Sequence, residues 1–199
     1  MRGWTLACAG HRMDPIEPMS IPAPHRKYTI HEYVELEQYA NVRHEFLDGQ
    51  IYAMAGGTPE HGTYSANVIG LLTAALSGRA CRVHTSDVRI RVRETGLDTY
   101  PDVSVVCGRA ERDDEDHNAI TNPIVLVEVL SPSTEDYDRG EKLRHYQRIA
   151  ALKEVVFVAH DERRLSIVRR RPDGGWETEG ATSGWIRLAA LECDLGVEA

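Results

Sequence analysis

The hydrophobic pattern predicts short strands interrupted by three helices. Apolar residues recur at helical spacing after Thr29, over 61–77, and from about 138 to 151. Thr29 and Glu32 have the spacing of a capping box, which predicts that the first helix begins just after Thr29. Gly78 follows the second helical run, where glycine commonly ends a helix.

Runs of β-forming residues lie between the helices. Asp48-Gly49 is a tight-turn dipeptide, so its flanks are predicted to pair as a hairpin. Turn-forming residues at 94–98 and 172–175 separate further strands. The predicted strands are 43–47, 50–54, 80–85, 88–93, the residues after Asp102, 124–130, 155–159 and 165–170. Strands mixed with helices predict an α/β or α+β fold, in one domain over residues 27–199.

The first 26 residues have a different composition. They carry four prolines close together and no apolar period, so residues 1–26 are predicted to be a disordered tail. Met13 and Met19 are alternative starts. The apolar stretch near the N-terminus is too short for a signal peptide, and nothing approaches the roughly 20 apolar residues of a membrane span. We therefore expect a cytoplasmic protein that does not enter a membrane.

Charge argues against a non-specific polyanion binder, because the net charge is −8. The acids concentrate in 111–116, which is predicted to be a solvated loop. Arginines cluster in two strand regions, and outward positions on amphipathic strands explain them as well as a nucleic-acid surface does. The clustered arginines are Arg82, Arg89, Arg91 and Arg93, then Arg163, Arg164, Arg169, Arg170 and Arg171.

The four cysteines do not form a CxxC pair, so a structural zinc site is not expected. Cys81 and Cys107 lie in apolar strand contexts and are predicted to be small buried residues. A disulfide framework does not fit a chain of this length and class.

Two acids in strand contexts carry the most chemical information. Glu128 lies inside the apolar run 124–130, and Asp102 follows Pro101 directly before Val103. A buried carboxylate is costly unless it is paired, protonated or bound to a cation. If the two strands are neighbours, both acids can bind one hard divalent cation, which can activate water for hydrolysis. Pairing of Glu128 with an arginine is the structural alternative.

Other residues have weaker signals. Lys142 and Tyr146 are four apart on one face of the third helix, where Lys142 can orient water or neutralise charge on a phosphate. Taken alone, Lys142 is also typical of a helix surface and Tyr146 of a core. Glu45 can add a third carboxylate, and His61 is either a helix N-terminal residue or a site residue. His84 and Asp87 are predicted to be structural.

These residues together carry a family resemblance. The chain resembles the Uma-type family of restriction endonucleases, within the PD-(D/E)xK nuclease superfamily, over roughly residues 27–195. The resemblance rests on Arg43-His44-Glu45-Phe46-Leu47-Asp48-Gly49, His61, Pro101-Asp102, the Val-Glu-Val-Leu-Ser-Pro-Ser-Thr stretch at 127–134, Asp138, Lys142 and Tyr146. It implies a restriction-endonuclease-like core, with a central mixed β-sheet flanked by helices.

The same resemblance implies roles for individual residues. Asp102 matches the Pro-Asp acid and Glu128 the acid of the (D/E)xK element, so both are expected to bind Mg²⁺ or Mn²⁺ with the backbone carbonyl of Val129. Leu130 stands where that element has its lysine, and Lys142 fits a lysine that has moved to the following helix.

Glu45 fits the early acid of the superfamily, and His61 fits the same family region. The implied activity is phosphodiester hydrolysis in DNA by a homodimer. Two alternatives stay open: a nuclease-fold protein that binds DNA or protein without cleavage, and a metal-dependent hydrolase of another substrate.

Overall fold

A computed structural model describes residues 26–197, so the predicted tail lies almost wholly outside the described residues. The helices are α1 (Ile30–Glu37), α2 (Pro59–Ala75), α3 (Glu135–Tyr137) and α4 (Leu143–Tyr146), with a π-helical turn at Asp138–Lys142 and a 3-10 helix at Ala189–Leu191. The strands are β1 (His44–Leu47), β2 (Gln50–Ala53), β3 (Cys81–Thr85), β4 (Arg89–Val92), β5 (Leu97–Thr99), β6 (Val103–Cys107), β7 (Ala119–Ile120), β8 (Val125–Val129), β9 (Glu154–Val158), β10 (Leu165–Arg170), β11 (Trp176–Ala181), β12 (Trp185–Leu188) and β13 (Cys193–Gly196). The mixed α+β class predicted from the pattern is confirmed.

A six-stranded mixed sheet forms the centre of the fold. Its strand order is β11-β10-β9-β8-β6-β3, and only β8 and β9 run parallel. Parallel neighbours need a crossover connection, and here the segment containing α3, the π turn and α4 provides it. The crossover brings this helical segment back over the strand that carries Glu128.

A five-stranded sheet and a hairpin complete the architecture. The smaller sheet has the order β2-β1-β5-β4-β7, and β12 pairs with β13. One core on the central sheet includes α2 residues Val68 and Leu72, together with Ile186 from β12. A second core on the opposite face includes Leu126, Leu130, Tyr146 and residues of the smaller sheet. Glu128 has the same strand parity as Leu126 and Leu130, so its side chain belongs to the second face.

Two predicted helices have different boundaries in the structure. Helix α2 begins at Pro59, because the Thr58 side chain caps it and proline suits the first helical position. The third helix ends at Tyr146 rather than near residue 151, and it begins earlier, at Glu135. The predicted turn over 94–98 is also too long, since β5 begins at Leu97.

The prediction for Cys81 and Cys107 was wrong. The two residues are direct partners in the β3–β6 register and are joined by a disulfide. Cross-strand register cannot be read from the local apolar context of either cysteine, so sequence pattern alone classed them as small core residues.

The acidic stretch 111–116 is not the uniformly solvated loop that was predicted. Asp113 and Asp116 are buried, and they accept hydrogen bonds from Arg93 and Arg89 respectively. These two arginines of the β4 region therefore tie the loop to the smaller sheet. Within residues 26–197, no helix is both long and apolar enough to cross a membrane.

Candidate active site

Asp102 and Glu128 lie side by side at one end of the central sheet. Val103 pairs with Val127 in the antiparallel β6–β8 register. Asp102 directly precedes Val103 and Glu128 directly follows Val127, so the two acids lie opposite each other. Opposite residues of an antiparallel pair project to the same face with closely spaced Cβ atoms. The Val129 N–H also donates to Oδ2 of Asp102 over 2.7 Å, which fixes this carboxylate at the end of β8.

Lys142 reaches Glu128 from the crossover segment. Its Nζ lies 3.0 Å from Oε1 of Glu128 and 3.1 Å from Oε1 of Glu45. It also lies 3.5 Å from Oδ1 of Asp138, one helical turn away. All four side chains are buried, so a single ammonium group contacts three carboxylates that have little access to solvent.

Glu45 enters the site from the smaller sheet. Its Oε2 accepts a hydrogen bond from the Tyr137 hydroxyl over 3.0 Å, and its Oε1 accepts one from the Thr99 hydroxyl. Thr99 lies on β5, beside the β1 strand that carries Glu45. With Lys142 as a third donor, the Glu45 carboxylate is held by groups from both sheet and helix.

Tyr146 supports the central acid. Its hydroxyl donates to Oε1 of Glu128 over 2.6 Å, while its ring is fully buried in the second core. Tyr146 therefore belongs to the hydrophobic core and also contacts a candidate site residue.

His61 lies in the first turn of α2, on the other side of Asp102. Its Nε2 is 3.2 Å from Oδ2 of Asp102, and the ring also hydrogen-bonds to the backbone of Val129. The hydrogen bond to Asp102 raises the pKa of His61 above its ordinary value, with burial acting in the opposite direction. The raised pKa favours the protonated, positively charged ring beside one of the two candidate metal ligands.

Burial and charge compete strongly at the centre of the site. Burial raises the pKa of Glu128 to about 8, and the Lys142 ammonium only partly offsets this. Burial would lower the pKa of Lys142, but attraction to Glu128 and the other acids outweighs it and raises that pKa well above the usual range. Burial also raises the pKa of Glu45, but attraction to Lys142 and the hydrogen bonds to its carboxylate outweigh burial, so the pKa is lowered overall. Lys142 is therefore a stable ammonium that faces three carboxyl groups.

The donor set fits a hard divalent cation with few protein ligands. Within residues 26–197, no three His, Cys, Asp or Glu side chains surround one metal position. Oδ1 of Asp102 and Oε2 of Glu128 form no hydrogen bond in that part of the chain, because their known partners use the other oxygen. Two carboxylates with a backbone carbonyl suit Mg²⁺, which keeps several waters, better than they suit zinc.

The structure brings together all six residues predicted for the site: Glu45, His61, Asp102, Glu128, Val129 and Lys142. It adds three that the sequence prediction did not select for chemistry, namely Thr99, Tyr137 and Asp138. Only Asp138 had a usable signal, since it stands four residues before Lys142. His84 and Asp87 lie outside this cluster, in and after β3.

Comparison with known proteins is consistent with this geometry. The chain matches the profile of the Uma2 family, described as "Putative restriction endonuclease", over residues 30–197. It is 39% identical over 154 residues to the uncharacterized protein slr1290 of Synechocystis, covering 77% of this chain and 80% of that protein. It is 29% identical over 158 residues to sll1609 of the same organism, covering 79% of this chain and 89% of the relative.

A solved structure shares the fold. The crystal structure of a protein from Anabaena variabilis, described as a "putative nuclease", superposes with a TM-score of 0.70 and 17% identity. The match covers 85% of this chain and 95% of the other. The restriction-endonuclease-like core that the resemblance implied is thereby confirmed.

Proposed function

Since this chain belongs to the Uma2 family, we propose that it is an endonuclease that hydrolyses DNA phosphodiester bonds with the help of Mg²⁺. The observation that carries the proposal is the cluster at the end of β6 and β8. There Asp102 and Glu128 lie on neighbouring strands, and the Lys142 ammonium is 3.0 Å from Glu128. Two acids and a lysine in this arrangement suit water activation beside a phosphate.

Asp102 and Glu128 are the proposed metal ligands, with the backbone carbonyl of Val129. Their free oxygens are hard donors, and Mn²⁺ is an acceptable substitute for Mg²⁺ with such ligands. A divalent cation held there supplies Lewis-acid polarisation of the phosphate and acidifies a bound water. The Val129 N–H keeps Asp102 oriented, because it occupies the oxygen that faces β8.

Lys142 is the proposed catalytic lysine. It is held as an ammonium by the surrounding acids, so it donates hydrogen bonds rather than accepting a proton. A buried ammonium can position a water and stabilise the charge that develops on the phosphate. Leu130, at the usual lysine position of the motif, faces the second core instead.

Glu45 and His61 act on either side of this centre. We assign Glu45 to anchoring Lys142, because three donors already occupy its carboxylate and leave little capacity for direct coordination. Orientation of water around the cation by Glu45 is also compatible with this position. His61 lies beside Asp102 and is suited to contact the phosphate or its leaving oxygen.

The proposal extends to the organisation of the protein. Residues 27–199 form one domain in it, the protein is cytoplasmic, and two copies pair so that both DNA strands can be cut across a two-fold axis. The net charge of −8 favours a substrate interaction confined to the site over broad adhesion to nucleic acid.

The test is cleavage of supercoiled plasmid and of single-stranded DNA with Mg²⁺, Mn²⁺ or EDTA. We expect metal-dependent nicking by the wild type, and a loss of about 100-fold or more in Glu128→Gln and Asp102→Asn. Glu141→Gln is the matched control, because Glu141 is half exposed and its contact is with His145 instead of the cluster.

Two outcomes would count against the proposal. Folded wild-type protein that binds Mg²⁺ but cuts no DNA with either metal would favour the non-cleaving binding module. Equal cleavage by wild type and Glu128→Gln would remove this cluster from the chemistry.

A further inference from the structure

Asp138 is a buried carboxylate of the site that the proposed hydrolysis leaves without a role. It is 5% exposed, and its Oδ1 lies 3.5 Å from Nζ of Lys142. The two residues bound the π-helical turn, a local irregularity that often occurs at functional sites. In this turn the acid and the lysine both face the sheet.

The Ser-Pro-Ser-Thr turn after β8 holds Asp138 in place. The Thr134 hydroxyl hydrogen-bonds to the Asp138 carboxylate, and the Thr134 carbonyl accepts the Asp138 N–H over 2.8 Å. The Ser131 and Thr134 hydroxyls lie 2.9 Å apart and continue the chain of contacts. This turn therefore has a use beyond ending the strand, since it fixes the carboxylate that faces Lys142.

The position of Asp138 matters because of the charges around Lys142. The ammonium contacts Glu128, and Glu128 is also a proposed cation ligand. Two positive charges that share one carboxylate repel each other strongly in a buried site. A carboxylate on another side of the ammonium offsets that repulsion and keeps the lysine from leaving.

We propose that Asp138 is a positioning residue that retains Lys142 in the site when a divalent cation binds Glu128. The inference rests on the proposed function only in its use of a cation at Asp102 and Glu128. Asp138 acts on the cation site through the lysine, so its removal changes cation affinity only when Lys142 is present.

The test is a double-mutant cycle on Mn²⁺ affinity, measured by isothermal titration calorimetry with wild type, Asp138→Asn, Lys142→Met and the double variant. Without the Asp138 carboxylate the charge of the Lys142 ammonium is less offset and repels the cation more strongly, so we expect Mn²⁺ affinity to fall by about 10-fold in Asp138→Asn. In the Lys142→Met background the same change should cost less than about 2-fold, because coupled residues are non-additive.

Glu141→Gln is the matched control. It removes one negative charge from the same π turn, and the half-exposed Glu141 side chain contacts His145 instead of Lys142. Its Mn²⁺ affinity should stay within about 2-fold of wild type, since exposed charges are screened. An equal loss of Mn²⁺ affinity in Glu141→Gln and Asp138→Asn would show that Asp138 acts only through its negative charge and not through its position beside Lys142. That result would overturn the inference.

Thr134→Val provides a second variant if Asp138→Asn fails to fold. It keeps the side-chain shape, removes only the hydroxyl that holds Asp138, and should weaken Mn²⁺ binding in the same direction. Additive effects in the cycle, or no Mn²⁺ binding by wild type, would overturn the inference. A wild type that binds Mn²⁺ with the expected coupling but does not cut DNA would overturn the proposed nuclease and leave the role of Asp138 intact.

Discussion

The ammonium nitrogen of Lys142 lies 3.0 Å from Oε1 of Glu128, although one residue belongs to a crossover segment and the other to a strand. The lysine therefore reaches the central acid from the helix instead of from the same strand. Because the contact is buried, the charged form of each group is stabilised by the other. The pair can be tested by stability as well as by activity.

Lys142→Met should strongly destabilise the protein at neutral pH. The change leaves Glu45, Glu128 and Asp138 buried without their shared cation, and breaking a buried pair typically costs about 3–5 kcal/mol. The carboxylates then favour their protonated forms, so the loss should shrink as pH falls. Chemical denaturation of both proteins at pH 5 and pH 8 measures this, and an equal loss at the two pH values would contradict it.

Local pattern was sufficient to find the strand-borne acids. Asp102 and Glu128 stand out because each is a carboxylate next to an apolar β-forming run. Their neighbouring positions follow from strand pairing, which the pattern allowed but did not fix. Lys142 needed the family resemblance, since the spacing of a crossover segment does not tell which of its faces meets the sheet.

Long-range pairing explains what the sequence did not provide. Arg89 and Asp116 are 27 residues apart, and neither has a neighbour that indicates a buried ion pair. The three-residue strand β5 is too short to give a period, so Thr99 was not seen beside Glu45. The π turn likewise depends on tertiary packing and leaves no mark in the apolar spacing.

Asp98 should make the protein less stable as pH rises. It is fully buried on β5, neither carboxylate oxygen has a hydrogen-bond partner within residues 26–197, and burial raises its pKa to about 8. A raised folded-state pKa means that its contribution is complete below the unfolded value near pH 4 and disappears as pH passes through about 8.

The variant Asp98→Asn isolates this effect. The difference in unfolding free energy between wild type and variant should change by up to about 1.4 kcal/mol per pH unit across that window, in favour of the variant at high pH. Asp114→Asn is the control, because the Asp114 side chain is fully exposed. A pH-independent difference for Asp98→Asn would show that the acid is ionised throughout.

Reduction of the Cys81–Cys107 disulfide should lower stability without changing the fold. The bond closes a loop with a sequence separation of 26, and a loop of this size typically stabilises a protein by about 3 kcal/mol. Thermal unfolding with and without a thiol reductant measures the loss, and the double variant Cys81→Ala/Cys107→Ala should match the reduced wild type. Cys193→Ala is the control. Non-reducing peptide mapping that finds residues 81 and 107 unlinked would contradict the prediction.

Tyr146→Phe should remove the hydrogen bond to Glu128 while leaving the core packing of the ring unchanged. The ring stays in the second core, while the 2.6 Å hydrogen bond to Oε1 of Glu128 is lost. A hydrogen bond to a charged acceptor contributes about 1.5–3 kcal/mol, so the unfolding free energy should fall by that amount above about pH 8, where Glu128 is ionised. The central acid then has one donor fewer to orient it, and Mn²⁺ affinity should fall by about 10-fold.

Tyr39→Phe is the matched control for that change, since Tyr39 is 85% exposed and lies outside both hydrophobic cores. It should alter neither stability nor Mn²⁺ affinity. A Tyr146→Phe protein that loses stability but keeps its Mn²⁺ affinity would limit Tyr146 to the core. A loss of both stability and Mn²⁺ affinity would mean that the Tyr146 hydroxyl serves the core and the site together, because one hydrogen bond stabilises the fold and orients Glu128.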